Sequence, residues 1–260
     1  MQNLPYTERI IGRNIIRLDR VSSTNDFLKD YVAKFKPHSS GTAILAVDQF
    51  QGRGQRDNCW FSEPGKNIIC SIHLMPNFIS ANQQFPLNIG ISLGIAKYLQ
   101  AKCQKTVKIK WPNDIYIENK KVAGILIENT IRGSHISQSI VGIGINVNQT
   151  IFHESISAHS TSLKLANNQP EDYPLTDLIE GLFTALNTAY LDLKTKDPAE
   201  LLQAYNKLLF RRAESSTFQI GDSLQKGVIE EVCADGKLCV ILGAQRQKFQ
   251  FKEISLLLED

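Results

Sequence analysis

Apolar residues divide the chain into short strands and a few longer helices. IIRLD, from Ile15 to Asp19, is extended, and VSSTND after it supplies Ser22, Ser23 and Thr24 as helix N-caps. NDFLKDYVAKF then predicts a helix carrying Phe27, Leu28, Tyr31 and Phe35 on one side. TAILAV and IICSIHL are apolar runs of strand length, separated by the polar stretch DQFQGRGQRDNCWFSEPGKN. QFPLNIGISLGIAKYLQ, with Leu87, Ile91, Leu93, Ile95, Tyr98 and Leu99, predicts a largely buried helix. TVKIKWPND alternates as a strand and stops at Pro112. IYIENKKVAGILIENT predicts a hairpin turning near Asn119 and Lys120, and ISQSIVGIGINVNQ another strand beyond the turn RGSH. Strands that follow one another through short turns favour an antiparallel or mixed sheet over repeated βαβ units. With helices before and after, the expected class is α+β.

Residues 151–173 are polar and irregular, with one short helix expected around Ser162 to Ala166. Two helices follow, Leu175 to Leu193 and Pro198 to Leu209, with Pro198 suited to a first helical position. The pattern changes at Phe218 to short alternating strands with turns at Gly221-Asp222 and Asp235-Gly236, as in a small barrel. A boundary near Ser215 divides the chain into domains of residues 1–214 and 215–260.

Composition narrows the function. The 260 residues suffice for one substantial core and a small satellite domain. A net charge of +3, from 29 Lys plus Arg against 26 Asp plus Glu, is too small to coat a nucleic acid, so any polyanion site must be a local cluster. No basic start leads into an apolar core and no run reaches membrane length, so a cytoplasmic location without membrane contact is expected. Five cysteines without a CxxC argue against a disulfide framework. The scattered His38, His73, His135, His153 and His159 do not cluster as transition-metal ligands.

Chemistry concentrates in three places. Gly52-Arg53-Gly54-Gln55-Arg56-Asp57 combines backbone freedom with guanidinium groups, the makings of an anion-binding loop or of a solvated one. In Lys108-Ile109-Lys110-Trp111-Pro112-Asn113-Asp114 a strand would turn Lys108 and Lys110 to one face. A lysine ending a central strand sets a fixed charge against a phosphate, whereas on an edge strand the pair would be solvated. Asp114 is able to hold magnesium through water or to orient Lys110, and Asn113 to bind phosphate or cap a turn. Gly142 and Gly144 in VGIGIN are costly in a strand unless something packs closely on them, either a flat ligand or a helix.

GRGQR, KWPND, KVAGILIE and GIGINV, in this order and at compatible separations, resemble the biotin protein ligases from Ser22 to the C-terminus. The resemblance implies a catalytic domain of the class II aminoacyl-tRNA synthetase-like biotin ligase fold, a mixed or antiparallel sheet flanked by helices, with a small C-terminal SH3-like β-barrel. It implies biotin--[biotin carboxyl-carrier protein] ligase activity with biotin and ATP as substrates and magnesium accompanying ATP. Biotinyl-5′-adenylate forms with release of pyrophosphate, and a carrier lysine then displaces AMP. Ser23, Thr24 and Gln49 match positions contacting the ureido ring of biotin, and Gly52 and Arg53 open the adenylate-binding loop. Lys110 is expected to touch both carboxylate and α-phosphate; Lys110 and Arg53 are the catalytic pair. Gly124, Gly142 and Gly144 are expected to floor the biotin site. Gly54, Arg56, Trp111, Asn113 and Asn146 are expected on the ATP side.

Family loops often read GRGRxG, whereas here Gln55 stands for an arginine and Asp57 for a glycine. About two dozen residues precede the first helix, too few for the DNA-binding domain of some relatives, so a short form without DNA contact is expected. KEISL, Lys252 to Leu256, is the best-matched C-terminal piece. The expected partner is a biotin carboxyl carrier protein or domain, with a homodimer possible through an exposed sheet edge. Rival readings are a lipoate- or octanoate-protein ligase on the same architecture and a non-catalytic biotin-binding module.

Overall fold

The computed structural model describes residues 9–35, 39–55 and 58–258. In chain order the elements are β1 (Ile15–Val21), α1 (Thr24–Lys34), β2 (Ala43–Gln49), β3 (Gly52–Arg53), β4 (Cys59–Trp60), β5 (Ile68–Leu74) and α2 (Phe85–Gln100). There follow β6 (Val107–Lys110), β7 (Asp114–Ile117), β8 (Lys120–Arg132), β9 (His135–Ile145), α3 (Glu154–Ser157), α4 (Leu163–Ala166), α5 (Leu175–Thr195) and α6 (Pro198–Lys207). The last five strands are β10 (Ser215–Ile220), β11 (Ser223–Val232), β12 (Leu238–Leu242), β13 (Gln245–Phe249) and β14 (Ser255–Leu256).

The fold is α+β. Seven strands form one sheet in the order β1-β2-β5-β9-β8-β7-β6. Only β1 and β2, joined across α1, run parallel, so the sheet is mixed. Strand alternation gives the sheet two different faces. Ile125, Val141, Ile143 and Ile145 belong to the main core with α2 and α5. Against the other face α1 packs Leu28 and Val32 onto Ile44 and Ile140. Burying a side chain such as Leu28 contributes about 1.5–3 kcal/mol.

Three expectations need correction. Phe35 does not join the apolar side of α1: the helix ends at Lys34, Phe35 is extended, and its ring is 59% exposed beside Tyr31. The strand carrying Lys110 is the last of the sheet, not a central one. Its free edge is nevertheless occupied, because Ile109 N donates to Leu208 O at 2.8 Å and Phe210 N donates to Ile109 O at 2.8 Å. This pairing also explains why α6 stops short of Leu209: the chain leaves the helix to bond β6.

The third correction concerns the C-terminal barrel. β10 to β14 form an antiparallel sheet in the order β13-β12-β11-β10-β14. Among the described residues no closed barrel is seen, because β14 contributes only the pairs Phe218↔Leu256 and Gln219↔Ser255 and does not pair with β13. Nor does this sheet own a separate core. Phe218, Ile229, Val232, Leu238 and Val240 lie in the same buried cluster as the first sheet. Asn206 of α6 links the two sheets, its Nδ2 donating to Val232 O at 2.9 Å and its Oδ1 accepting from Val232 N at 2.7 Å. Among the described residues, no helix is long and apolar enough to cross a membrane.

Candidate active site

A cavity of about 250 Å³ opens on the α1 face of the large sheet. Its floor is set by glycines. Gly124 and Gly144 are register partners on β8 and β9, and the Trp60 indole rests on both. A Cβ at Gly144 would lie 2.5 Å from Trp60 Cζ2, and one at Gly124 3.0 Å from Cζ3. Gly142, one pleat further, leaves room for Asn25, whose Cγ would lie 3.0 Å from an added Cβ. These glycines therefore admit protein side chains, which in turn line the cavity. Gly144→Ala is expected to lift the indole and to cost about 1–3 kcal/mol of stability. In a Trp111→Phe background, Trp60 emission should shift; an unchanged spectrum would show that the ring does not rest there.

The start of α1 forms one wall. The Ser23 hydroxyl accepts from Asp26 N at 3.3 Å as the N-cap, which fixes where the helix begins and points Thr24 and Asn25 inward. Gln49, at the end of β2, accepts from Thr24 N at 2.8 Å through Oε1. Ser71 of β5, fully buried, lies 2.7 Å from Thr24 Oγ1 and 2.6 Å from Asn25 Oδ1.

Arg53 marks the rim on β3. Its Nη2 donates to Asp26 at 2.5 Å and reaches Glu128 at 3.4 Å. Glu128 also accepts from Asn25 Nδ2 at 2.7 Å and pairs with Lys29. Burial alone would raise the Glu128 pKa. Hydrogen bonds from Lys29 and Asn25, with the charges of Lys29 and Arg53, outweigh burial and hold it below the usual carboxylate range.

The opposite wall is the β6–β7 corner. Burial lowers the Lys110 pKa against an upward pull from Asp114, and Lys121 lowers it further. Asp114 pairs with Lys121 at 2.8 Å, while Lys110 Nζ sits 5.6 Å from the Tyr116 ring centroid. A partly buried ammonium of this kind is favoured by an anion brought to it. Cys70 also borders the cavity, but burial pushes its thiol up to about 12, which leaves it unsuited to nucleophilic attack at neutral pH.

The second sheet completes the enclosure. Trp111 Nε1 donates to Gly236 O at 2.9 Å, in the β11–β12 turn, and the Trp111 and Phe251 rings meet edge-on at 5.9 Å. Ile254, Ser255 and Leu256, within the KEISL segment, line the cavity. Tyr205 of α6 donates to Pro112 O at 2.6 Å, and Asn113 Nδ2 donates to Ile125 O. The corner is thus braced from three sides.

Eleven of the sequence-predicted residues meet at this cavity: Ser23, Thr24, Gln49, Arg53, Gly54, Lys110, Trp111, Asn113, Gly124, Gly142 and Gly144. Gly52 does not line it; an added Cβ there would lie 2.5 Å from Trp60 O and 2.7 Å from Gln49 Nε2, so it lets the β3–β4 hairpin pack on Gln49. Asn146 lies away from it, holding residues 161–163 through Thr161 O at 3.0 Å and Leu163 N at 3.1 Å. Arg56 and Asp57 lie outside the described residues. Sequence reasoning missed Asn25, Trp60, Lys121 and Glu128. Asn25 directly follows the capping run Ser22 to Thr24 and Trp60 stands in the polar loop, but nothing in their spacing announces that either meets the glycine strands.

The same residues are those by which the chain can be compared with known proteins. Residues 18–146 match the profile of the biotin/lipoate A/B protein ligase family. The segment from residue 18 to 146 belongs to this family. Among its members, the bifunctional ligase/repressor BirA of Escherichia coli (strain K12) is 36% identical over 149 residues, 56% of this chain and 44% of that protein. BirA of Bacillus spizizenii is 30% identical over 188 residues, 72% of this chain and 56% of that protein. The matches span about half the length of these curated relatives. The solved biotin protein ligase from Aquifex aeolicus in complex with biotin and ATP superposes with a TM-score of 0.80 at 25% identity. That likeness covers 95% of this chain and 100% of the Aquifex chain. The family motifs therefore fall on the walls of the cavity, and the second sheet lies within the superposed part.

Proposed function

We propose that the protein is an ATP-dependent biotin protein ligase. The observation that carries the reading is that Lys110 and Arg53 line a single cavity above the Gly124–Gly144 strand pair. The complex of the Aquifex relative with biotin and ATP supports the choice of ligands. In the first step a carboxylate oxygen of biotin attacks the α-phosphorus of ATP, and pyrophosphate leaves. In the second the amine of a carrier lysine attacks the acyl carbon and AMP leaves, the amine proton passing to solvent.

In this reading Ser23, Thr24 and Gln49 hold the ureido ring, with the Trp60 indole as a flat wall beside it. Lys110 meets the negative charge shared by carboxylate and α-phosphate, and Arg53 turns from Asp26 toward the same charge. Fixed cations placed where charge develops lower the barrier without a covalent enzyme intermediate. Trp111 and Asn113, held by Gly236 and Ile125, shape the nucleotide side. Among the described residues, no three acidic, His or Cys side chains form a group able to hold a metal, and Asp114 is engaged by Lys121. In this reading magnesium arrives with ATP as part of that substrate. We further assign residues 1–214 to a catalytic domain and 215–260 to a C-terminal domain that closes the nucleotide side and receives a biotin carboxyl carrier. ATP as substrate fits a cytoplasmic setting.

The test is a reaction of the purified protein with labelled biotin, ATP and a biotin carrier domain, beside one with lipoate. Label on the carrier with biotin is expected; label with lipoate alone would replace the substrate, and ligand binding without pyrophosphate release would replace the activity. Gln55 borders the cavity where a family arginine often stands. Gln55→Arg is expected to slow loss of the adenylate, by about tenfold for one added charge-assisted contact. Equal release rates, followed by chasing labelled adenylate, would remove that role.

A further inference from the structure

Beneath the cavity four residues form a chain of close polar contacts. Thr24 Oγ1 lies 2.7 Å from Ser71 Oγ, Ser71 Oγ 2.6 Å from Asn25 Oδ1, and Asn25 Nδ2 2.7 Å from Glu128 Oε2. Ser71 is fully buried, and Thr24 and Asn25 are each 3% exposed, so water does not arbitrate these bonds. Each hydroxyl owns one proton, and an ionised carboxylate owns none.

That inventory fixes the direction of the whole chain. Glu128 only accepts, so the Asn25 amide must turn its NH2 toward it and its carbonyl toward Ser71. The Asn25 carbonyl only accepts, so Ser71 must donate to it. The 2.7 Å contact between Ser71 and Thr24 then requires the proton of Thr24. Gln49 Oε1, 3.0 Å from the Thr24 hydroxyl, accepts from Thr24 N at 2.8 Å and has a second lone pair, but the shorter contact to Ser71 has no other proton to close it. The Thr24 oxygen is left with its lone pair toward the cavity.

We infer that Glu128 is a positioning residue: as the terminal acceptor of this chain it makes the buried Thr24 hydroxyl an acceptor for an N–H of the ureido ring. The inference rests on the biotin reading and adds to it. A cyclic urea presents N–H donors at its edge, and a hydroxyl free to rotate would not distinguish them from acceptors. Glu128 is suited to the task because it is itself fixed, with Lys29 and Arg53 on its other side. Its position on β8, beyond Leu126 on the same face, keeps it clear of the cavity lining.

Glu128→Gln would permit the reverse order, with the new amide donating to a flipped Asn25, Asn25 to Ser71, and Ser71 to Thr24. Thr24 would then aim a proton at the ureido N–H. Ser71→Ala breaks the same chain in the middle and touches neither Arg53 nor Lys29, so it separates proton direction from rim charge.

The experiment measures biotin-dependent exchange of labelled pyrophosphate into ATP. Both variants are expected to raise the biotin KM about tenfold or more, as leaving a buried donor unpaired does. The ATP KM and the kcat at saturating biotin of Ser71→Ala, which leaves the rim charges intact, should stay within about twofold of the parent. The wild type should also prefer biotin to biotin methylated on a ureido nitrogen by a wider margin than either variant does. An unchanged biotin KM in Ser71→Ala, an undiminished preference, or parallel losses in ATP KM and kcat would overturn the inference. Should Glu128→Gln not fold, Ser71→Ala decides. No exchange by the wild type with biotin would overturn the biotin reading itself, a result distinct from all of these.

Discussion

Replacing Lys110 by alanine is expected to lower kcat/KM for biotin-dependent pyrophosphate exchange by roughly 10²- to 10³-fold, the usual scale for losing one preorganised charge at a transition state. Lys110 ends β6 facing the cavity, and its ammonium is disfavoured by burial while Asp114 is engaged by Lys121. Such a charge gains most when an anion arrives, and it gains more as the carboxylate and the α-phosphate approach each other. The protein should not melt earlier for the change, because removing a poorly solvated ammonium relieves the fold of a desolvation cost. Lys110→Arg should recover only part of the activity, since a planar fork needs more room than a point charge. Wild-type exchange in Lys110→Ala would move the chemistry elsewhere in the cavity.

Asn206→Ala should be among the most destabilising single changes at the junction of the two sheets. The side chain is 6% exposed and satisfies both the N–H and the C=O of Val232. Alanine leaves both backbone groups buried without those partners, at a cost of about 2–4 kcal/mol. For a domain of this size that corresponds to a fall of about 5–15 °C in melting temperature. The β11–β12 turn follows Val232 directly, and its Gly236 carbonyl seats Trp111. Exchange activity should therefore fall at temperatures well below melting. A melting curve that overlays the wild type would show that the two sheets do not depend on this residue for their attachment.

Much of this was legible in the sequence because local chemistry and tertiary structure agree there. Pro198 opens α6, Ser162 caps α4, and the Gly221-Asp222 and Asp235-Gly236 turns are where the second sheet folds back. Of the eleven predicted residues that share the cavity, eight stand in the four motifs. What stayed hidden depends on contacts between distant segments. The edge position of β6 could not be read, because the backbone on its outer side is bonded by residues 208–210 and not by a second strand of the sheet. The expected barrel is open because its last strand has only two residues, a length no alternation pattern reports. The glycines in VGIGIN read as places where a flat ligand or a helix packs closely. What packs there is Trp60 and Asn25, some 80 and 120 residues away in the chain.

That arrangement places control of the cavity's depth behind its visible wall. The indole of Trp60 stands on bare main chain, so its height is fixed by the pleat of β8 and β9 and by nothing adjustable. A single methyl group added underneath would bring the ring forward and make the chamber shallower. Shape preference in this protein can therefore be tuned from the strands on which a tryptophan rests.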